Sequence, residues 1–159
     1  MKYSELVESL VGTYVAVTFS KESLDMFERL QRKLNLEKKT PTDKMHSTIL
    51  FSRKKIDFPV LSDVYETASK KVQYQVFETQ TGKRALVLLL DSEYLTHRHN
   101  LGMSLGATYD YPEYHPHVTL SYDIGDMEVS TKPFNLATEP VIVAEYMEDL
   151  DLTWSDQDD

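Results

Sequence analysis

A repeat limits the folds open to this chain more than any other feature. From Thr13 to Phe19 the residues TYVAVTF alternate as a strand does, with Tyr14, Ala16 and Thr18 on one side and Val15, Val17 and Phe19 on the other. Ser20 then caps a helix expected to run to about Leu36, in which Leu24, Phe27, Leu30 and Leu34 recur at helical spacing. A polar loop, KKTPTDK, leads into a strand, HSTILFS, beginning at His46. The same order returns later: RALVLLLD reads as a strand, Ser92 caps a second helix reaching about Gly106, and a loop rich in Tyr and Pro leads into HVTLSYD. Val15 lies 31 residues before His46, and Val87 lies 30 before His117. Two such units, over about 11–56 and 84–126, predict one α+β domain over 1–159. It has two pseudo-symmetric lobes of antiparallel sheet with helices outside, each lobe carrying one His-x-Thr strand.

The rest of the chain fills in around these units. A short helix is expected near Leu61 to Ser69, followed by a strand, VQYQVFETQ, that turns at Thr81-Gly82-Lys83 into RALVLLLD. FNLAT and VIVAEYM read as a further pair of strands, and an acidic tail occupies about 148–159. At 159 residues and 41% hydrophobic the chain can bury a core without an outside staple. There is no cysteine, which excludes disulfides and thiolate metal sites and favours an intracellular setting. The longest apolar run, Ala85 to Leu90, is far short of a membrane span, and the N-terminus lacks the pattern of a secretion signal. A cytoplasmic protein with no membrane partner is expected.

The net charge of −9 is unevenly spread. Seven acidic residues and no basic one lie between Glu145 and Asp159, which leaves 19 acidic against 17 basic residues elsewhere. A near-neutral body argues against long nucleic acid, whose binding rests on many phosphate neutralisations, but admits a small phosphorylated ligand. Nothing in the chain sets a subunit number.

Ser and Thr make up 27 of the 159 residues, so five histidines give about one His-x-Ser/Thr match by chance. The weight of the two matches lies in their placement, since both open an apolar strand after a strand–helix unit. Residues i and i+2 of a strand share a face, so His46 points with Thr48 and His117 with Thr119. Two imidazoles and two hydroxyls converging between lobes suit a phosphodiester. One imidazole takes a proton from the attacking hydroxyl, the other gives one to the leaving oxygen, and the threonines hold the non-bridging oxygens. Such chemistry calls for no metal or other cofactor.

On these residues the chain resembles the two-histidine phosphoesterase superfamily, whose signature is two His-x-Thr/Ser motifs on strands of a duplicated α+β fold. The length, the wording HPHVTLSY and the acidic carboxyl end look most like the anti-CBASS phosphodiesterases of tailed bacteriophages. The order of elements matches over nearly the whole chain, while the specific motifs cover about a dozen residues. The resemblance implies hydrolysis of cyclic di- and trinucleotide signals, such as 3′,3′-cyclic GMP–AMP and cyclic triadenylate, to linear 3′-phosphate products through a 2′,3′-cyclic phosphate. It also implies action in the cytoplasm of an infected bacterium against its CBASS defence. His46, Thr48, His117 and Thr119 are then the catalytic residues, with acid and base unassigned between the histidines. A 2′,3′-cyclic phosphodiesterase acting on RNA ends, or a protein that sequesters cyclic nucleotides uncut, are the alternatives.

A nucleotide also needs surfaces for its bases. Tyr14 is the first candidate, being on the first strand beside small or polar neighbours, and the resemblance favours an aromatic there. Glu145, odd in an apolar strand, is expected to accept hydrogen bonds from a base edge. Trp154 in the acidic tail, and Tyr74, Phe77, Tyr109 and Tyr111, follow. Lys44, Arg53, Lys54 and Arg84 are basic residues near the motifs. The remaining histidines do not make a metal site: His97 and His99 diverge on a helix, and His115 next to Pro116 has no evident third partner for an ion shared with His117.

Overall fold

The computed structural model describes residues 11–152. β1 (Val11–Phe19) ends where Ser20 caps α1 (Lys21–Lys33), the Ser20 hydroxyl accepting from the Ser23 amide at 3.2 Å. α1 stops three residues short of the expected Leu36 because Asn35 adopts φ 55°, a left-handed turn that Asn tolerates and a continuing helix cannot. A single 3-10 turn (Thr42–Lys44) precedes β2 (Ser47–Ser52). β4 (Lys71–Glu78) and β5 (Arg84–Leu89) form the expected hairpin, with Gly82 at φ 83° in the turn. Ser92 caps α2 (Glu93–Ser104), which leads through a loop to β6 (His117–Ser121).

The expected helix near 61–69 is not there. This segment runs extended along the last strand, β8 (Val141–Asp151), and contains β3 (Glu66–Thr67). Val64 N–H donates to Val143 O and Glu145 N–H to Leu61 O, so the edge of β8 gains partners that a helix would not supply. FNLAT yields only β7 (Phe134–Asn135), which pairs with β4 and not with VIVAEYM. The acidic stretch begins as strand, since β8 continues to Asp151 and pairs Glu148 with Tyr14 and Asp151 with Val11.

Two four-stranded antiparallel sheets result, ordered β2-β1-β8-β3 and β6-β5-β4-β7, and the two motif strands β2 and β6 lie against each other where the sheets meet. One face of each sheet carries the core: Val15, Val17 and Leu50 in the first, Leu86, Leu88 and Val118 in the second, all essentially without exposure. Full burial of such side chains contributes about 1.5–3 kcal/mol each. The helices cover this face crosswise. α2, from the second unit, packs on β2 of the first, where a Cβ on Gly102 would stand 2.5 Å from the Leu50 side chain. α1 reaches the other way, its Gln31 side chain donating to Leu120 O in β6 at 2.9 Å.

Both motif strands carry a bulge at the same place. Opposite consecutive Val15 and Ala16 stand Leu50 and Thr48, so Ile49 is the extra residue. Opposite consecutive Leu86 and Val87 stand Ser121 and Thr119, so Leu120 is the extra residue. Each bulge falls directly after the threonine of a His-x-Thr motif.

Candidate active site

The bulges decide which side chains share the open face. In an unbroken strand the residue five after each histidine would turn away from it; the extra residue reverses the alternation and returns Phe51 and Tyr122 to the side of Thr48 and Thr119. Phe51 stands opposite Tyr14, and their rings meet edge-on with centroids 6.2 Å apart. The floor under the threonines is formed by Ala16, opposite Thr48, and Val87, opposite Thr119.

The two histidines are set alike. The Nδ1 of His46 lies 2.8 Å from Lys44 O, and that of His117 lies 2.9 Å from His115 O, each a carbonyl two residues back. A carbonyl only accepts, so Nδ1 carries the proton in both neutral rings and Nε2 is left as the free lone pair. Burial pushes the His117 pKa down, the His115 carbonyl opposes this, and the charge of His46 across the seam pushes it down further. His117 is therefore neutral at physiological pH, with a lone pair available.

Each threonine has a tyrosine. The Tyr14 and Thr48 hydroxyls are 3.0 Å apart, and the Tyr122 phenol interacts with Thr119. Burial raises the pKa of both phenols, and of Tyr146 beside Tyr14, so all three stay protonated and able to donate. The Tyr14 ring also meets His46 edge-on at 6.1 Å. Tyr14, expected as a base platform, thus lies within hydrogen-bond reach of the Thr48 hydroxyl and beside the His46 ring.

The carbonyls that the bulges release are taken up from the opposite unit. Gln31 Nε2 donates to Leu120 O at 2.9 Å, and the Thr40 amide donates to the same oxygen. His99 Nδ1 donates to Ile49 O at 2.8 Å, its ring stacks flat on Tyr114 at 4.0 Å, and the Tyr114 hydroxyl donates to Thr48 O at 2.6 Å. Both helical side chains are almost fully buried. His97, two residues from His99, is exposed, so the pair diverges.

Glu145 requires a correction. Its backbone partner is Val17, which puts its side chain on the core face, opposite to Tyr14 and Thr48. There Arg98 Nε and Nη2 grip the two carboxylate oxygens at 2.7 Å each, the Tyr94 hydroxyl donates at 2.6 Å and the Leu61 amide at 3.0 Å. Burial raises the Glu145 pKa, but these donors together outweigh it and leave the carboxyl below its ordinary value. Glu145 thus ties α2 to β8 and offers no acceptor to a base. Tyr74 also lies on the core face, its ring 4.9 Å from Phe134. Trp154 lies outside the described residues. Arg53 is held by Asp110 through two 3.0 Å bonds, and Arg84 by the carbonyls of Gly125 and Met127.

Phe77, Tyr109 and Tyr111 do come together, around a cavity of about 560 Å³ that reaches His117. His115 lines it too, exposed, with Nε2 3.2 Å from Glu113. Among the described residues no group of three His, Asp or Glu side chains is placed to hold a metal ion, and no helix is long and apolar enough to cross a membrane. Phe51, Tyr122, Tyr114 and Gln31 were not singled out from the sequence; the one signal for the first two is the aromatic that follows each motif histidine by five positions.

Residues 11–157 match the family described as anti-CBASS protein Acb1. The chain belongs to this family. Relatives in the Acb1 family include the protein of Acinetobacter phage Ac42, 48% identical over 97% of this chain and 99% of its own, and that of Enterobacteria phage T4, 41% identical over 96% and 97%. The fold is that of the two-histidine phosphoesterases. The TT0787 protein of Thermus thermophilus superposes with a TM-score of 0.59 at 14% identity, covering 85% of this chain and 86% of its own. LigT of E. coli, solved with 3′-AMP, gives 0.55 at 14% identity over 86% and 85%.

Proposed function

We propose that this Acb1-family protein is a metal-independent phosphodiesterase that opens cyclic di- and trinucleotide signals and so blunts the CBASS defence of an infected bacterium, acting in its cytoplasm. The observation that carries the reading is the matched setting of His46 and His117, each with Nδ1 tied to a backbone carbonyl and each beside a threonine held by a tyrosine. In this mechanism a ribose 2′-hydroxyl attacks the neighbouring phosphorus. His117, held neutral by burial, takes the proton at Nε2, while His46 gives one to the departing 5′-oxygen. Thr48 and Thr119 donate to the non-bridging oxygens, where negative charge grows in the transition state. The 2′,3′-cyclic phosphate formed is then opened by water with the two roles reversed, restoring the 2′-hydroxyl and leaving a linear 3′-phosphate.

Incubation with 3′,3′-cyclic GMP–AMP and cyclic triadenylate in EDTA, with chromatography of the products, tests this. Linear 3′-phosphate oligonucleotides are the expected result. An intact ring recovered from a tight complex would make the protein a sequestering one, and turnover that dies in EDTA would overturn the metal-free chemistry. Cleavage restricted to 2′,3′-cyclic ends of RNA would move the substrate to RNA.

A further inference from the structure

Tyr122 also lines a second, smaller hollow of about 260 Å³, with Lys38, Lys39, Thr40, Lys83 and Asp123 in its wall. The hollow adjoins the candidate site through this tyrosine, which is 54% exposed and whose phenol interacts with Thr119. No step above uses it.

Three lysines against one carboxylate are a local excess of positive charge in a body where acids and bases nearly balance. The carboxylate is already engaged. Asp123 Oδ2 takes Lys38 Nζ at 3.1 Å and Oδ1 takes the Gly125 amide at 3.1 Å, and these contacts hold its carboxyl below the ordinary value. The other unit has a counterpart where its motif strand ends, since Arg53 after β2 closes on Asp110 of the loop before β6. With the signs exchanged, the Lys38–Asp123 pair closes the junction after β6. Lys39 and Lys83 are surplus to it, as neither makes an ion pair with a described residue.

Surface lysines alone say little, since most are simply solvated. A second observation sets this group apart: Thr40 is 5% exposed, and its hydroxyl has no hydrogen-bond partner among the described residues. An O–H with no acceptor of its own can turn its positive end toward an anion at this wall. The backbone that carries these groups is fixed. Gln31 Nε2 donates to Thr40 O at 2.9 Å, while the Lys83 amide donates to Thr79 Oγ1 at 3.1 Å and the Thr79 amide to Lys83 O at 2.8 Å.

We propose that this hollow is an anion subsite in which Lys39 and Lys83 hold a phosphate of the nucleotide ring other than the one under attack. Its volume is below the roughly 300–1,000 Å³ of cavities that enclose whole ligands, so it suits a phosphate and not a base with its sugar. Every phosphodiester of a cyclic oligonucleotide keeps a negative charge, which lysine meets as a point charge. The inference rests on the phosphodiesterase reading, which supplies the ring and places its reacting phosphate at Thr119.

The test compares wild type with the double variant Lys39→Gln, Lys83→Gln and with a control of equal charge, Lys21→Gln, Lys132→Gln. The ligands are cyclic triadenylate and 2′,3′-cyclic AMP, whose single phosphate is the one that reacts. All four lysines are exposed, so the fold is retained. The Lys39, Lys83 variant is expected to raise KM for cyclic triadenylate roughly three- to thirtyfold, with kcat within about threefold. The slope of log KM against log salt should fall by about 0.7 per lysine removed. KM for 2′,3′-cyclic AMP is expected to stay unchanged, and the control to match wild type on both ligands. A KM for cyclic triadenylate that does not move, that moves equally in the control, or that moves equally on 2′,3′-cyclic AMP would overturn the subsite. If the wild type cuts no ring, calorimetric binding of cyclic triadenylate gives the answer. Affinity lost in the Lys39, Lys83 variant but not in the control keeps the subsite while the phosphodiesterase reading falls, and equal affinity in all three proteins overturns it.

Discussion

The two units that meet at the β2–β6 seam are alike at the front and different behind. In front, each presents a histidine with Nδ1 on the carbonyl two residues back, a threonine, and a tyrosine on that threonine. Behind, the carbonyl released by the β6 bulge is met by an amide, Gln31, whereas that of the β2 bulge is met by an imidazole, His99, stacked on Tyr114. The same backbone problem, a stranded carbonyl beside the site, has two side-chain solutions. Chemistry at a phosphate fixes the front closely, while the rear requires only a buried donor of the right reach.

The likeness of the two fronts fails most visibly if their histidines are not equivalent. His46→Ala and His117→Ala are each expected to lower kcat on a cyclic dinucleotide by about 10²–10⁴-fold, with the double variant little worse than either, since both act in one step. A much milder loss in one would confine the acid–base work to the other unit. The Glu145–Arg98 pair, which ties the helix of the second unit to β8 in the first sheet, comes next. Glu145→Ala leaves Arg98 partly buried and uncompensated, and chemical denaturation should show a loss of about 3 kcal/mol.

Smaller effects probe the contrast at the rear. His99→Leu takes the side-chain donor from Ile49 O, and Gln31→Leu takes one from Thr40 O and one of the two donors on Leu120 O; each is expected to cost about 1–3 kcal/mol, read as a lower Tm. The smallest effect separates the two solutions by pH. Burial holds both His99 and His117 below their ordinary value of 6.5. As pH falls through that value the unfolded chain takes up protons that the folded one refuses, so stability declines on acidification. Melting scans from neutrality to about pH 5 should therefore be flatter in His99→Gln than in wild type, and unchanged in slope in Gln31→Leu.

Part of this was legible in the chain. The strand–helix–strand order, the serine caps and the placement of both motifs at strand starts follow from short-range rules of alternation, helical spacing and capping. The extended segment at 61–69 was not, because Leu61, Val64 and Ala68 bond to β8 or the residue before it, more than seventy residues later, and nothing local announces that partner. Glu145 was misjudged for a similar reason. An acid in an apolar strand reads as exposed or ligand-facing until Arg98 and Tyr94 are seen beside it.

The pair of His-x-Thr strands, and the side chains within each motif that share a face, are written in consecutive residues, because alternation along a strand is a local property. Where that alternation breaks is a matter of long-range packing. The bulges at Ile49 and Leu120 exist because a neighbouring strand supplies one residue where the motif strand supplies two, and because Gln31 and His99 from the opposite units satisfy what the bulges expose. Those distant hydrogen bonds return Phe51 and Tyr122 to the side of the threonines.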